Sequence, residues 1–176
     1  TRDVSYPEVT RRDKVEVTAE NMRHPLIDPS KVVPNGAAFK GGTTIITGSN
    51  MSGKTTFLRT LGINLILAYA GAPVCADYMK IFTSMRVTDD VSNGISTFYA
   101  EILRIKSMVE YKKNDMPMLC LIDEIFKGTN SADRIVGASQ VIKKLSDDNS
   151  MTIVSTHDFE LCDLKNEAGV PAVNYH

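Results

Sequence analysis

The sequence predicts an α/β fold with a largely parallel central sheet flanked by helices, on the strength of three observations. An apolar, β-branched run at residues 43–47 enters a glycine-bounded loop, residues 48–55, and a strongly apolar helix-like stretch follows. A continuous apolar run at residues 118–122 ends in two acids, as buried parallel strands do at a ligand-binding edge. A second such run, residues 151–155, ends just before His157. This alternation is typical of a layered α/β domain.

The bulk properties of the chain indicate one ordinary globular domain. Its 176 residues are 43% hydrophobic and 23% charged, which suits an α/β domain with a sizeable core. A net charge of −1 gives no overall basic character that would point to nucleic acid, so any DNA contact is expected through segments outside this chain. Three widely spaced cysteines favour free thiols in a reducing compartment. We therefore expect a cytoplasmic protein, nucleoid-associated if bacterial, and no membrane partner.

Residues 48–55 have the phosphate-binding loop pattern, two glycines four residues apart followed by lysine and threonine. Gly48 and Gly53 allow tight turns that bring bare N–H groups onto phosphate oxygens. Lys54 supplies a point charge for the β- and γ-phosphates, and the Thr55 hydroxyl can ligate Mg²⁺. The pattern predicts a nucleoside triphosphate site with Mg²⁺. The residues expected to bind the nucleotide are Gly48, Ser49, Asn50, Met51, Ser52, Gly53, Lys54, Thr55 and Thr56.

A turn-rich segment upstream, residues 24–36, is a candidate for the wall of the base pocket. Val32 and Val33 in this segment can pack on adenine. The sequence leaves open whether they instead are plain core valines.

The polar residues that follow the buried strands are candidates for chemistry. Asp123 is expected to hold Mg²⁺, usually through water, and Glu124 to orient and polarise the attacking water. His157 stands where a polar group can sense the γ-phosphate. The alternatives are a surface acid pair at the end of a strand, and a helix-capping role for the histidine.

Ser96 opens a predicted helix that places Phe98, Ile102, Ile105 and Val109 on one inward face. Its hydroxyl and the helix start can bind an anion, or it can be an ordinary cap. Spacing does not tell whether Ser96 faces the nucleotide of its own subunit or that of another. A later helix, after the loop 128–131, is expected to turn inward Ile135, Ala138, Val141, Ile142 and Leu145.

The motif set resembles the ATPase domain of the MutS family, DNA mismatch repair proteins within the ABC-type ATPases. The matching pieces are residues 47–55, 89–90, 96–98 with Glu101, 121–124, 128–131, and 156–157 with 160–161. Two features make the match specific. One is Asn50-Met51 after the first loop glycine, and the other is Ser-Thr-Phe where ABC transporters have Leu-Ser-Gly-Gly-Gln. The resemblance covers about residues 20–165 in family order.

The resemblance implies a P-loop NTPase fold of the ABC-ATPase type and a composite active site. Two such domains would pair head to tail, as a homodimer or a MutS-like heterodimer through the ATPase face. Ser96 would then act in trans on the γ-phosphate of the partner, and residues 128–131 would lie across the interface. DNA would be bound by other domains, with ATP as the ligand that switches between two arrangements.

Residues 1–13 mix charge with Pro7 and carry no clear period, so we expect a linker or the end of a preceding domain there, followed by the ATPase domain at 14–176. Because the chain starts at Thr1 and stops within a strand-like stretch, we expect an excised domain that is truncated at its C-terminus.

Departures from the family pattern leave the subfamily open. Ser52 replaces a usual glycine, residues 126–127 read Phe-Lys in place of Gly-Arg, and Asp158 replaces an aromatic residue. Two other functions remain as alternatives, a nucleotide-gated interaction module with little turnover and a small P-loop kinase. The intact Glu124 argues against the first, and the lack of an acceptor-binding lid with arginines argues against the second.

Overall fold

The computed structural model describes residues 9–10, 15–49, 51–71, 75–85, 97–166 and 169–175. The strands are β1 Val9–Thr10, β2 Glu16–Met22, β3 Asn35–Lys40, β4 Gly42–Ile46, β5 Cys75–Asp77, β6 Lys80–Ser84, β7 Met118–Asp123, β8 Ser150–Ser155 and β9 Val173–Tyr175. The helices are α1 Lys54–Tyr69, α2 Thr97–Lys112, α3 Ser131–Leu145 and a 3₁₀ helix Phe159–Asp163.

The central sheet has five parallel strands in the order β6-β7-β8-β4-β9. Every residue of β7 and β8 is buried, as expected for strands covered on both faces. This confirms the prediction of an α/β fold with a mostly parallel sheet between helices. Because β8 lies between β4 and β7, the carboxyl ends of these three strands meet at one edge, where the predicted site residues follow them.

A smaller sheet, in the order β1-β5-β2-β3, covers part of one face of the molecule. In it β2 pairs antiparallel with β3 and β5, and β1 pairs parallel with β5. Helix α1 contributes to one core cluster with both sheets. Its buried members are Leu58, Leu61 and Leu65 from α1, Val17 and Phe39 from the smaller sheet, and Leu119, Leu121, Met151 and Ile153 from the central sheet.

The other face of the central sheet is covered by α2 and α3, whose buried residues form a second core cluster. The members are Ile105 and Met108 from α2, Ala138, Ile142 and Leu145 from α3, and Met118, Cys120, Ile122, Val154 and Ile45 from the sheet. The prediction for α3 holds, since Ile135 and Val141 also pack against this cluster. The Asn130 side chain caps α3 by accepting a hydrogen bond from the Asp133 N–H at 3.0 Å.

The predicted inward face of α2 is wrong at Ile102, which is 37% exposed. The buried residues of α2 are Ile105 and Met108, and half-buried Glu101 and Lys112 extend this stripe at its two ends, with spacings of four, three and four along the helix. Both ends of this stripe are charged residues, and Lys112 is held by an ion pair with Asp147. The sequence prediction counted only apolar residues, so it included exposed Ile102 and left out the charged residues at the two ends of the observed stripe.

Among the described residues, no helix has the length and apolar character needed to cross a membrane. Of the cysteines whose side chains the structure describes, Cys120 and Cys162 are free thiols. Burial raises the pKa of the Cys120 thiol to about 12, so this sulfur stays protonated and chemically quiet near neutral pH.

Candidate functional site

The loop between β4 and α1 has the backbone that its glycines predict. Gly53 has a φ of 94°, in the left-handed region that favours glycine. At Gly48 a Cβ would lie 3.1 Å from the Ser52 hydroxyl, so a side chain there would crowd the loop. Helix α1 begins at Lys54, and the Phe57 N–H donates to the Gly53 carbonyl at 2.8 Å. The free N–H groups of the first helical turn therefore point at the loop.

The Lys54 ammonium lies on this loop. Its Nζ donates to the carbonyl oxygens of Gly48 and Ser49, at 2.8 Å each. Hydrogen bonds to charged oxygens are stronger than those to neutral carbonyls, so a phosphate entering the loop can replace these partners.

Thr55 and Asp123 come from different elements and meet at the strand edge. The Thr55 hydroxyl donates to Oδ2 of Asp123 at 2.8 Å, and the Ser155 hydroxyl donates to Oδ1. Asp123 ends β7 and Ser155 ends the neighbouring strand β8, in register with each other. The Asp123 side chain thus has both oxygens held while only 8% of the residue is exposed.

Glu124 lies beside a histidine and a lysine. One carboxylate oxygen, Oε1, is 2.9 Å from Nε2 of His157, and the other, Oε2, accepts from the Lys127 ammonium. The Glu124 N–H donates to the Ser155 carbonyl at 2.9 Å, which ties this residue to β8. Glu124 itself has a φ of 56°, an uncommon left-handed conformation for a residue with a side chain. The side chains of Glu124 and His157 are 19% and 38% exposed, so the pair lies at the surface of the cleft edge.

The loop after Glu124 is fastened to α2. Phe126 also has a φ of 56°, and its N–H donates to Oε1 of Glu101 at 2.6 Å. Burial raises the pKa of the Glu101 carboxyl, while the bond from the Phe126 N–H opposes that rise. The Phe126 ring meets Phe98 edge-on, with ring centroids 6.2 Å apart.

A bidentate ion pair flanks His157. Arg134 of α3 donates from Nε and Nη2 to the two carboxylate oxygens of Asp158, at 2.8 and 2.7 Å. This bond raises the pKa of the Arg134 guanidinium. The Asp158 N–H donates to the Thr156 hydroxyl at 3.0 Å. The residues on both sides of His157 are therefore fixed, and Asp158, unusual in the motif, has a partner.

A cavity of about 1020 Å³ extends from the loop toward the segment 24–36. Val32 and Val33 line it together with Lys54, Thr56 and Phe57, so the valines and the loop share one space. Val33 is 73% exposed, which is inconsistent with a plain core valine. The remaining lining is largely apolar toward β3, as suits a planar heterocycle.

The structure brings most of the predicted site residues to one strand edge. Gly48, Ser49, Ser52 and Gly53 form the loop, with Lys54, Thr55, Asp123, Glu124 and His157 around it. Met51 is fully exposed and its side chain does not line the cavity. Asn50 and Ser96 lie outside the described residues, as do residues 89–90.

Sequence reasoning gave no role in this site to Ser155, Lys127 or Arg134, and it named Glu101 only as part of the motif set that resembles the MutS family, without a role. Ser155 could have been found from its position, because it ends β8, the strand beside the one that Asp123 ends. For Lys127 and Glu101 the signal was weaker, because their contacts depend on the left-handed turns at Glu124 and Phe126.

The donor set fits a magnesium-nucleotide better than a metal held by protein alone. No cluster of three or more His, Cys, Asp and Glu side chains is placed to hold a metal within the described part of the chain. One carboxylate and one hydroxyl meet at the loop, Asp123 and Thr55, and Mg²⁺ in nucleotide sites takes few protein ligands because phosphates and water complete its shell.

Comparison with known proteins identifies relatives of this chain. The model for MutS domain V matches residues 44–176. The chain is 33% identical over 166 residues to a DNA mismatch repair protein MutS of Streptococcus uberis, covering 87% of this chain. It is 32% identical over 177 aligned positions to that of Streptococcus pyogenes serotype M5, covering 93% of the chain. These alignments span 19% and 20% of the relatives, so the chain corresponds to about a fifth of their length.

Proposed function

We propose that this chain, which belongs to the MutS family and matches its domain V, binds and hydrolyses ATP as the ATPase domain of a MutS-like mismatch repair protein. In this proposal residues 14–176 form the ATPase domain, of the ABC type. The nucleotide state changes how two such domains pair, and other domains of the longer protein bind DNA. The pair of ATPase domains would be a homodimer or a MutS-like heterodimer.

The observation that carries the proposal is the meeting of Thr55 and Asp123 beside the loop. Their side chains, 68 residues apart in sequence, approach to 2.8 Å at the same edge where Lys54 lies. A hydroxyl, a carboxylate and an ammonium around a glycine loop are the groups that hold a triphosphate with its metal.

Binding is assigned to the loop and the cavity. The N–H groups of residues 48–56 and the Lys54 ammonium would hold the phosphates, while Val32 and Val33 would cover the adenine. Thr55 and Asp123 would hold Mg²⁺, which supplies charge neutralisation for the phosphate oxygens.

Hydrolysis is assigned to Glu124 with His157. The Glu124 carboxylate would accept a proton from the attacking water, and His157, 2.9 Å from it, would orient the carboxylate and contact the γ-phosphate. Lys54 would stabilise charge on the phosphates as they separate. Ser96, which lies outside the described residues, would complete the site of the partner subunit in trans.

The experiment is phosphate release from Mg²⁺·ATP by this chain, measured against protein concentration, with and without candidate phosphoryl acceptors. An ATPase with a composite site releases phosphate without an acceptor, and its specific activity rises with concentration as subunits pair. Release that depends on an acceptor would show a kinase. Tight ATP binding without release at any concentration would show an interaction module instead.

A further inference from the structure

We infer that Glu101 is a positioning residue for the proposed hydrolysis, because it ties helix α2 to the loop that carries Glu124. This inference rests on the proposed function for its catalytic part. The tie itself is a feature of the described structure, and it can be tested separately.

In this contact the loop backbone is the donor and the Glu101 carboxylate is the acceptor. Oε1 of Glu101 accepts the N–H of Phe126 at 2.6 Å, two residues after Glu124. Glu101 is half-buried, on the stripe of α2 that continues through buried Ile105 and Met108. A carboxylate placed in such a stripe costs solvation unless a donor meets it, so the Phe126 N–H and Glu101 need each other.

The loop needs this tie because its backbone is unusual. Both Glu124 and Phe126 have φ values of 56°, a region where side chains crowd the backbone and which glycine adopts more readily. Such conformations persist only when surrounding contacts hold them. Here a bulky phenylalanine adopts one, and the residue whose N–H is held by Glu101 is this same phenylalanine.

Packing strengthens the same connection. The Phe126 ring lies against Phe98 of α2, and a Cβ added to Gly137 of α3 would lie 3.3 Å from that ring. A Cβ at Gly128 would lie 3.0 Å from Phe98, so the loop approaches α2 at a second point. The loop 124–128 is thus wedged between α2 and α3, with Glu101 as its polar anchor.

The consequence concerns the geometry of Glu124. If the Phe126 N–H is released, the two left-handed residues can relax, and the Glu124 carboxylate moves relative to the phosphates. Misplacement by about 1 Å can cost on the order of 100-fold in rate. The residues assigned to ATP binding are held by other contacts, Lys54 by the glycine loop and Asp123 by Thr55 and Ser155, so releasing the Phe126 N–H should leave ATP binding nearly unaffected.

Two substitutions test separately whether the tie depends on the length of the Glu101 side chain or on its negative charge. Glu101→Asp keeps the charge but shortens the side chain by one methylene, so its carboxylate no longer reaches the Phe126 N–H. Glu101→Gln loses the charge but keeps an oxygen at the same reach. Glu110→Asp is the control, since Glu110 lies exposed on the same helix in a surface pair with Lys106.

We expect Glu101→Asp to lower kcat about 10- to 100-fold with KM for ATP unchanged. Hydrogen exchange at the Phe126 amide should become faster in this variant. Glu101→Gln should keep kcat and amide protection close to those of the parent chain, and Glu110→Asp should change neither.

The inference is overturned if Glu101→Asp keeps the parent kcat and Phe126 protection, or if Glu101→Gln loses as much as Glu101→Asp. A parallel rise in KM and loss of folding in Glu101→Asp would point to a purely structural role and would also overturn it. If the parent chain releases no phosphate, the proposed function fails, whereas the exchange rate at Phe126 still upholds or overturns the tie.

Discussion

The two sides of the candidate site are held by different kinds of contact. The phosphate side, residues 48–55 with Asp123, is built on main-chain turns and on adjacent strand ends, with Thr55 and Ser155 holding the carboxylate. The water side, Glu124 and His157 with the loop 125–128, is held mainly by side-chain contacts, two of them within this side and one from α2. Lys127 and His157 contact the Glu124 carboxylate, and Glu101 holds the backbone behind it.

This difference separates binding from cleavage. In the proposed function the phosphate side holds the nucleotide and the loop 125–128 affects hydrolysis. The two sides meet at the junction between Asp123 and Glu124 and at Ser155, whose hydroxyl donates to Asp123 and whose carbonyl accepts the Glu124 N–H. Glu101 of α2 holds the backbone of the water side, so a partner that shifts α2 can affect this side. We therefore expect substitutions on the water side to leave ATP binding nearly intact, and substitutions on the phosphate side to act mainly on ATP or metal binding.

The largest effect is expected for Glu124→Gln. Glutamine fits the same space but cannot take a proton from water, so hydrolysis should fall by roughly two to four orders of magnitude. Affinity for Mg²⁺·ATP should stay unchanged, because the phosphate side is intact. Phosphate release and binding of a fluorescent ATP analogue measure the two properties, with Glu110→Gln as the exposed control. Normal hydrolysis by Glu124→Gln would mean that Glu124 is not the base.

A somewhat smaller effect is expected for Lys54→Ala, and it should appear in the affinity for ATP. Loss of hydrogen bonds from a charged donor to phosphate should weaken ATP binding by about 10- to 100-fold. The same fluorescent analogue measures this affinity, and Lys106→Ala on the exposed face of α2 is the control. Unchanged affinity in Lys54→Ala would place the phosphates somewhere else.

Ser155→Ala should have the smallest effect of the three. It removes the hydroxyl that donates to Oδ1 of Asp123, and loss of such a supporting bond typically weakens metal affinity by about 10-fold or somewhat more. The Mg²⁺ concentration for half-maximal ATPase activity should rise, while activity at saturating Mg²⁺ is kept. Ser107→Ala, an exposed serine of α2, serves as the control. An unshifted Mg²⁺ dependence would remove Asp123 from the metal site.

The phosphate side could be predicted from the sequence because its signals are local. The strand, the glycine loop and the helix follow one another without interruption, and Asp123 ends an apolar run whose position in a parallel sheet fixes where its carboxylate lies. Val32 and Val33 could be placed only as one of two options. The structure places both valines on the wall of the cavity that extends from the loop, and a contact with adenine remains part of the proposed function.

The supports of the water side could not be predicted for physical reasons. Lys127 reaches Glu124 only because residues 124 and 126 turn left-handed, and nothing in Phe126 suggests that conformation. The bond from Phe126 to Glu101 spans 25 residues. Glu101 is a charged residue on the inward side of α2. Hydrophobic periodicity counts only apolar residues, so it placed Ile102 on the inward side instead, and Ile102 is exposed.

The most direct test of the account is a set of mixing experiments between inactive variants. Lys54 and Glu124 are assigned to the same subunit and Ser96 to its partner. A mixture of Lys54→Ala and Ser96→Ala chains should therefore regain up to one working site per dimer, about 10- to 100-fold above either variant, the scale of one or two lost bonds to a charged group. A mixture of Lys54→Ala and Glu124→Gln chains should regain nothing, since no site in it has both groups. ATPase activity of each variant and of both mixtures decides the matter. If the first mixture gives only the average of its parts, or if the second recovers activity, the composite site as described is wrong.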